Sequence, residues 1–190
     1  DKIAISKLLD DFGIDYVEGG YPGANPTDTA FFAEKRTRAA KFTAFGMTKR
    51  AGVSAANDPG LAGLLQSKTD AICLVAKSWD YHVHVALGIT LEENLEGMTD
   101  SVKAAIAAGR EAMVDCEHFF DGFKNNPEFA MRVVEAAVMK GATHLVMCDT
   151  NGGSLPHEIA EIVGKVKAFV GNDATLGIHC HDDTGCAVAN

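Results

Sequence analysis

Two kinds of apolar segment alternate along this chain. Short runs such as Lys41–Met47 are apolar over most of their length, which is typical of strands covered on both faces. Longer stretches such as Pro127–Met139 carry apolar residues at helical spacing. The series predicts strands at residues 15–18, 41–47, 71–76, 111–117, 143–149 and 175–181, and helices at residues 2–12, 27–38, 90–108, 127–139 and 156–170. A shorter helix is expected near Asn57, and residues 186–190 resemble a first helical turn.

Residues that start and stop helices support these boundaries. Thr90 is followed three residues later by Glu93, which is the spacing of a capping box. Asp58-Pro59 supplies a cap and a first-turn proline. Gly13 and Gly171 come directly after predicted helices, where the left-handed conformation favours glycine.

Because the predicted strands alternate with helices, we expect them to pair in parallel through right-handed crossovers. An open doubly wound sheet and a closed eight-stranded barrel both fit this pattern. The open sheet usually has a glycine-rich phosphate loop after its first strand, and Glu18-Gly19-Gly20-Tyr21-Pro22-Gly23 lacks that spacing. The barrel is favoured because polar residues fall at the carboxyl ends of the strands, where the active sites of such barrels lie. These residues are Glu18, Thr48, Lys77, Glu117, Asp149, Thr150, His179 and His181.

The strand count falls short of a closed barrel of this type, which needs about eight. We therefore predict an α/β fold: a partial (β/α)8 TIM barrel with about six βα units, strands 2 to 7, and with the first and last strands missing. Residues 1–190 are expected to form one catalytic TIM-barrel domain that is incomplete at both ends. An open six-stranded sheet is the alternative.

The composition narrows the choice of partners. The chain has 190 residues, 47% of them hydrophobic and 23% charged, which is ordinary for a globular protein. Its net charge of −9 provides no basic stripe for a nucleic acid, and no apolar run reaches the ~18 residues that a membrane span requires. The five cysteines form no Cys-x-x-Cys pair. We expect them to be reduced thiols in a cytoplasmic protein.

The strongest chemical signal is the pair His179 and His181. Residues i and i+2 of a strand point to the same face, so both imidazoles are directed at one place, next to Asp182 and Asp183. Such a set favours a divalent metal, Mg, Mn or Zn, over the alternative of two structural histidines. A second His-x-His sequence begins at His82. It is predicted to lie in a connecting loop over the site, with His82 contacting substrate.

Three further residues are candidates for chemistry at the same rim. Glu117 ends a strand and can act as a base or hold a water that does so; a salt bridge to a neighbouring strand is the alternative. Glu18 has the same two interpretations. Thr150 can donate a hydrogen bond to a substrate carboxylate, whereas Asp149 is expected to brace the turn that follows.

Three motifs occur in order along the second half of the chain. They are Glu117-His118-Phe119-Phe120-Asp121, Cys148-Asp149-Thr150-Asn151-Gly152-Gly153 with Pro156-His157-Glu158, and Gly177-Ile178-His179-Cys180-His181-Asp182-Asp183-Thr184-Gly185-Cys186-Ala187-Val188-Ala189-Asn190. Together they resemble the family of 2-isopropylmalate, homocitrate and citramalate synthases, which share a metal-dependent TIM barrel with hydroxymethylglutaryl-CoA lyase. The resemblance covers essentially the whole chain, and with Lys77-Ser78-Trp79-Asp80 it is strongest to the citramalate synthase members.

The resemblance implies a homodimeric acyltransferase that condenses acetyl-CoA with a 2-oxo acid, pyruvate being favoured. It assigns His179 and His181 as metal ligands, Glu117 and Thr150 as active-site residues, and Glu18 as a further one. The family's Arg-Asp or Arg-Glu pair and its Asn-bearing loop are not found in this sequence, so the segment alone is expected to be inactive. A lyase that cleaves hydroxymethylglutaryl-CoA and an inactive, barrel-derived binding protein are the competing hypotheses.

Overall fold

The computed structural model describes residues 1–190. Six strands are present: β1 (Tyr16–Glu18), β2 (Lys41–Met47), β3 (Ala71–Lys77), β4 (Glu111–Glu117), β5 (His144–Asp149) and β6 (Thr175–Cys180). The helices are α1 (Lys2–Phe12), α2 (Pro26–Phe31), α3 (Pro59–Gln66), α4 (Asp80–His82), α5 (Leu91–Ala107), α6 (Phe119–Asn125), α7 (Pro127–Met139) and α8 (Pro156–Val170). A 3-10 turn at Ala55–Asn57 and a π-helical turn at Val83–Leu87 complete the set. None of the helices is both long enough and apolar enough to span a bilayer.

The six strands form one sheet in the order β1-β2-β3-β4-β5-β6, and every neighbouring pair is parallel. A doubly wound sheet reverses its strand order at a switch point so that helices cover both faces. Here the order never reverses, so successive crossovers put the helices on one face and the sheet curls away from them. The partial (β/α) barrel predicted from the sequence is confirmed, and the open doubly wound sheet is ruled out.

The outer face of the sheet carries the hydrophobic core. Residues paired in neighbouring parallel strands share a face, and one such row runs through Leu74, Val114 and Leu145. All three side chains are completely buried and belong to a cluster of 31 residues that the helices complete. The core therefore lies between the sheet and its helical layer, and the concave inner face is left to other residues.

The inner face is polar at its amino-terminal end. Tyr16 donates a hydrogen bond of 2.8 Å from Oη to Oε2 of Glu111, and Lys41 forms an ion pair with the same carboxylate. The ring of His144 meets Tyr16 edge-on at 5.1 Å between centroids. These four residues, which we call the polar floor, lie at the opposite end of the strands from the predicted site.

Most helix and strand boundaries agree with the sequence prediction, and α2 is the main exception. It ends at Phe31, whereas the prediction extended it to Arg38. Phe32 stacks on Phe42 of β2 at 4.9 Å between ring centroids, and the Asp10 carboxylate accepts hydrogen bonds from the backbone N–H groups of residues 38, 39 and 40. Continuing the helix would break these contacts, so tertiary packing overrides the helical pattern.

All five cysteines are free thiols, as predicted. Cys73, Cys116 and Cys148 are buried, and Cys180 and Cys186 are partly exposed.

The capping box at the start of α5 gives a direct test of helix stability. Thr90 Oγ1 accepts the Glu93 N–H at 3.1 Å, and the Glu93 carboxylate accepts the Thr90 N–H at 2.8 Å. Thr90→Ala should lower the free energy of unfolding by about 1 kcal/mol, measured by urea denaturation of the protein. Thr99→Ala is the control because its hydroxyl bonds only to a carbonyl of the same helix. Equal losses in both variants would contradict the capping role.

Candidate metal and substrate site

The predicted site residues meet on the concave face at the carboxyl ends of the strands. The strand register pairs Lys77 with Glu117 and Cys148 with His179. Because paired residues share a face, and because side chains alternate along each strand, His179 lies on the same side of the sheet as Glu117. The chain thus brings together residues from β3, β4 and β6 that are far apart in the sequence.

The two histidines of β6 are adjacent, as the strand spacing predicts. Their ring centroids are 5.1 Å apart and the ring planes are inclined by 25°. Both side chains are exposed on the concave side, whereas Cys180 between them packs towards the hydrophobic core. The pair therefore offers two imidazole nitrogens to one region of the cleft.

A glycine turn fixes the strand end that carries this pair. Gly152 has φ of +61°, and a Cβ there would lie 2.8 Å from Asp183 N and 3.0 Å from the carbonyl carbon of His181. His181 N donates to the Asp149 carbonyl at 3.2 Å, and Thr184 Oγ1 donates to the Gly152 carbonyl at 2.8 Å. Only glycine combines this backbone conformation with so close an approach.

Asp149 braces the same turn, as the sequence predicts. Its side chain is fully buried and accepts hydrogen bonds from Ser154 N at 3.0 Å and from Ser154 Oγ at 3.1 Å. Both carboxylate oxygens are thereby used inside the protein, so Asp149 has a structural role.

Glu117 forms an ion pair with Lys77 of the neighbouring strand, which is the alternative that the sequence left open. The pairing holds the carboxylate at the mouth of the cleft, and an ionised carboxylate retains acceptor positions for a water or a substrate group. The ion pair and a role in proton transfer are therefore compatible.

Thr150 is held by the turn after β4. Its Oγ1 accepts a 2.9 Å hydrogen bond from the backbone N–H of His118. Because the oxygen serves as the acceptor there, the hydroxyl proton is available to a group in the cleft. This geometry suits the predicted donor to a substrate carboxylate.

His82 lies in the short helix α4, so its prediction as a loop residue is wrong. Its ring is 4.2 Å from that of His118 and 4.7 Å from that of Trp79, centroid to centroid. Burial and the neighbouring His118 lower the pKa of His82. His84 is on the next turn, where its Nδ1 lies 3.2 Å from the Ile89 carbonyl oxygen.

His118 was not singled out by the sequence. It is the only non-glycine residue with positive φ, +55°, and its Nδ1 is buried without a hydrogen-bond partner. A histidine directly after a strand is a weak signal for this conformation, in which it is enriched several-fold relative to most residues. Strain of this kind is found at functional sites.

Deeper in the cleft lie two carboxylates without a cationic partner, Glu18 and Asp115. Desolvation of the carboxyl group in the cleft, and then the charge of Asp115, raises the pKa of Glu18 to about 7, while the rest of the residue keeps part of its surface exposed. Burial also raises the pKa of Asp115, against a hydrogen bond of 3.2 Å from Cys73 Sγ to Asp115 Oδ1. The sequence signal for Asp115 is a charged residue among the apolar residues in the middle of β4, two positions before Glu117.

This donor set fits a divalent metal. Two imidazoles share one region of the cleft, and carboxylate oxygens lie on the same face, which is the combination of nitrogen and oxygen ligands that such ions take. His179 and His181 would hold the ion, with water in the remaining positions.

The curled sheet with its histidine-bearing mouth defines a (β/α)-barrel protein with a candidate metal site. The HMGL-like family model matches residues 1–190, and the chain belongs to that family. An (R)-citramalate synthase of Streptomyces coelicolor is 54% identical over 194 residues, covering 100% of this chain and 36% of that protein. One of Aquifex aeolicus is 49% identical over 193 residues with the same coverage. The chain thus spans 36% of the length of both relatives.

A solved structure supports the fold independently. The HMG-CoA lyase of Bacillus subtilis superposes with a TM-score of 0.80 at 19% sequence identity, covering 100% of this chain and 64% of that one. At this identity the likeness concerns the fold alone.

The strained backbone of His118 predicts how substitutions there behave. His118→Val places a β-branched residue at positive φ and should lower the free energy of unfolding by roughly 1–3 kcal/mol. His118→Asn also removes the ring but tolerates the left-handed conformation, so it should lose less. Urea denaturation measures the free energy of unfolding of both variants. Equal decreases would show that the lost ring contacts, and not the backbone conformation, cause the destabilisation.

The raised pKa of Glu18 predicts a pH dependence of stability. Between pH 4.5 and 7 the folded state holds a proton that the unfolded state has released, so the free energy of unfolding falls as the pH rises through this window. Glu18→Gln should flatten that fall in metal-free protein. Glu135→Gln, on the exposed face of α7, is the control, and thermal unfolding across the window is the measurement. If the stability of the Glu18→Gln variant fell with pH as steeply as that of the wild type, the raised pKa of Glu18 would be refuted.

Proposed function

We propose that the protein containing this chain is an acyltransferase that condenses acetyl-CoA with a 2-oxo acid, pyruvate being favoured to give citramalate for branched-chain amino-acid biosynthesis. The observation that carries the proposal is the His179–His181 pair at the same barrel mouth as Glu117 and Thr150. The identity of 54% to an (R)-citramalate synthase over the full length of this chain supports the same reaction.

A divalent cation, Mg, Mn or Zn, held by His179 and His181 would polarise the keto group of the 2-oxo acid as a Lewis acid. Thr150 orients the substrate by donating a hydrogen bond from its hydroxyl group to the substrate carboxylate. The rings of Trp79 and His82 pack against His118, which directly follows Glu117, and they would exclude water from that side of the cleft.

Glu117 accepts, through a water, the proton removed from the acetyl methyl group, and the Lys77 ammonium beside it stabilises the negative charge that Glu117 carries beforehand. The resulting enolate carbon forms a bond to the keto carbon, whose oxygen becomes an alkoxide and takes up a proton. Water then cleaves the thioester and releases the CoA thiol, so one acetyl-CoA, one 2-oxo acid and one water give the hydroxy diacid and CoA.

The competing reaction is cleavage of hydroxymethylglutaryl-CoA on the same barrel. It is supported by the fold shared with HMG-CoA lyase, at 19% sequence identity in the Bacillus subtilis enzyme. An inactive binding protein is the remaining alternative, which a failure to bind metal at the histidine pair would favour.

The assay for the proposal is thiol release by the full-length protein. We expect free CoA when acetyl-CoA and Mg²⁺ or Mn²⁺ are supplied with pyruvate, and less with 2-oxoisovalerate or 2-oxoglutarate. Absence of thiol with all three would refute the synthase, and cleavage of hydroxymethylglutaryl-CoA would identify the lyase.

A histidine variant tests the metal pair. His181→Ala removes one of two imidazole ligands and should abolish Mn²⁺ binding, measured by calorimetry, together with activity, while the circular dichroism spectrum is retained. His157→Ala, at an exposed position on α8, is the matched control and should keep both. Full activity of His181→Ala would refute the ligand role.

A further inference from the structure

A second set of metal-ligating atoms lies beside the histidine pair, deeper in the cleft. Asp115 of β4, Cys148 of β5 and His179 of β6 each offer one ligand atom, and the three atoms all lie within 4.8 Å of one another. Asp115 and Cys148 take no part in the condensation described above, and the set shares only His179 with it.

We propose that Asp115, Cys148 and His179 form a binding site for a soft divalent cation of the zinc class, overlapping the His179–His181 pair. The donors are one carboxylate oxygen, one sulfur and one imidazole nitrogen, a combination typical of zinc, whereas magnesium prefers oxygen ligands and water. A water would complete the tetrahedral shell.

The strands hold these donors in place. β4, β5 and β6 are consecutive in the sheet, and the register pairs Cys148 directly with His179. Metal bonds of about 2.0–2.3 Å place tetrahedral ligand atoms roughly 3.3–3.8 Å apart. Side-chain movements on the order of 1 Å therefore bring the three atoms to bonding distance without moving a strand.

Asp115 and Cys148 each keep an atom for an ion, although burial raises the pKa of the Cys148 thiol and the ion has to displace its proton. The Cys73 thiol donates a hydrogen bond to Asp115 Oδ1, which leaves Oδ2 free to bind an ion. The only hydrogen-bond contact of Cys148 Sγ is a long one, 3.7 Å, to the Val146 carbonyl. When the sulfur–metal bond forms, the Cys148 Sγ–H bond breaks and its proton passes to solvent; nothing is oxidised or reduced.

Because both sites use His179, only one of them can hold an ion at a time. A neutral imidazole has a single acceptor nitrogen, so it binds an ion either with His181 or with Asp115 and Cys148. A cation of the zinc class in the deeper site therefore competes with Mg²⁺ or Mn²⁺ at the mouth.

Cobalt(II) serves as the optical probe for zinc in the full-length protein. Coordination by a thiolate adds a sulfur-to-cobalt charge-transfer band in the near ultraviolet. We expect this band in the wild type and its loss in Cys148→Ser. Asp115→Asn, which is nearly isosteric, should weaken cobalt binding by at least the roughly 10-fold seen when a metal site loses a supporting carboxylate. Cys186→Ser, a half-buried cysteine outside the cluster, is the control and should keep the band.

Two further measurements distinguish the proposed thiolate site from the metal site used in the proposed condensation. His181→Ala should lose Mn²⁺ binding but keep the cobalt–thiolate band, and excess Mn²⁺ should diminish that band in the wild type. The proposal is overturned by the absence of a thiolate band, by a band that survives Cys148→Ser, by unchanged cobalt binding in Asp115→Asn, or by a band that Mn²⁺ does not affect. The thiol-release assay with acetyl-CoA and pyruvate tests only the condensation, so its outcome does not affect this proposal.

Discussion

The parallel hydrogen-bonded ladder from β1 to β6, which runs without a change of order, is the constraint on which the rest of the structure depends. Each crossover returns to the next strand on the same side, so the helices gather on one face. Side-chain alternation then divides every strand into an outer and an inner set. The outer set, with Leu74, Val114 and Leu145, completes the core, and this leaves the inner face free to carry polar chemistry.

The carboxylates of the inner face have different electrostatic surroundings at the two ends of the strands. In the polar floor, burial acts against the charge of Glu111, but the hydrogen bonds from Lys41 and Tyr16 prevail and lower its pKa. Nearer the mouth, Glu18 and Asp115 have no such partner, and burial raises their pKa values. A divalent cation bound at the histidine pair would supply positive charge to the part of the cleft where the carboxylates lack it.

The backbone at the mouth is arranged as specifically as the side chains. The left-handed conformation of His118 turns the chain directly after Glu117 and points the His118 N–H at Thr150. Gly152 lets the turn after β5 touch the end of β6. Glu117, Thr150 and His181 are therefore positioned through contacts between neighbouring strand ends, and the hydrophobic core behind the sheet keeps those ends in register.

The sequence by itself determined the alternation of strands and helices, the capping box at Thr90, and the shared face of His179 and His181, because these depend on the spacing of residues close together in the chain. It left the Lys77–Glu117 ion pair as one of two alternatives, and it missed the conformation of His118 and the grouping of Asp115 with Cys148 and His179. It also extended α2 too far. Each of these depends on the register of strands that are distant along the chain or on packing against them. Only the tertiary structure decides which distant residues become neighbours. The strand pairing and packing that select these contacts involve residues far apart in the chain, and the spacing of nearby residues does not encode them.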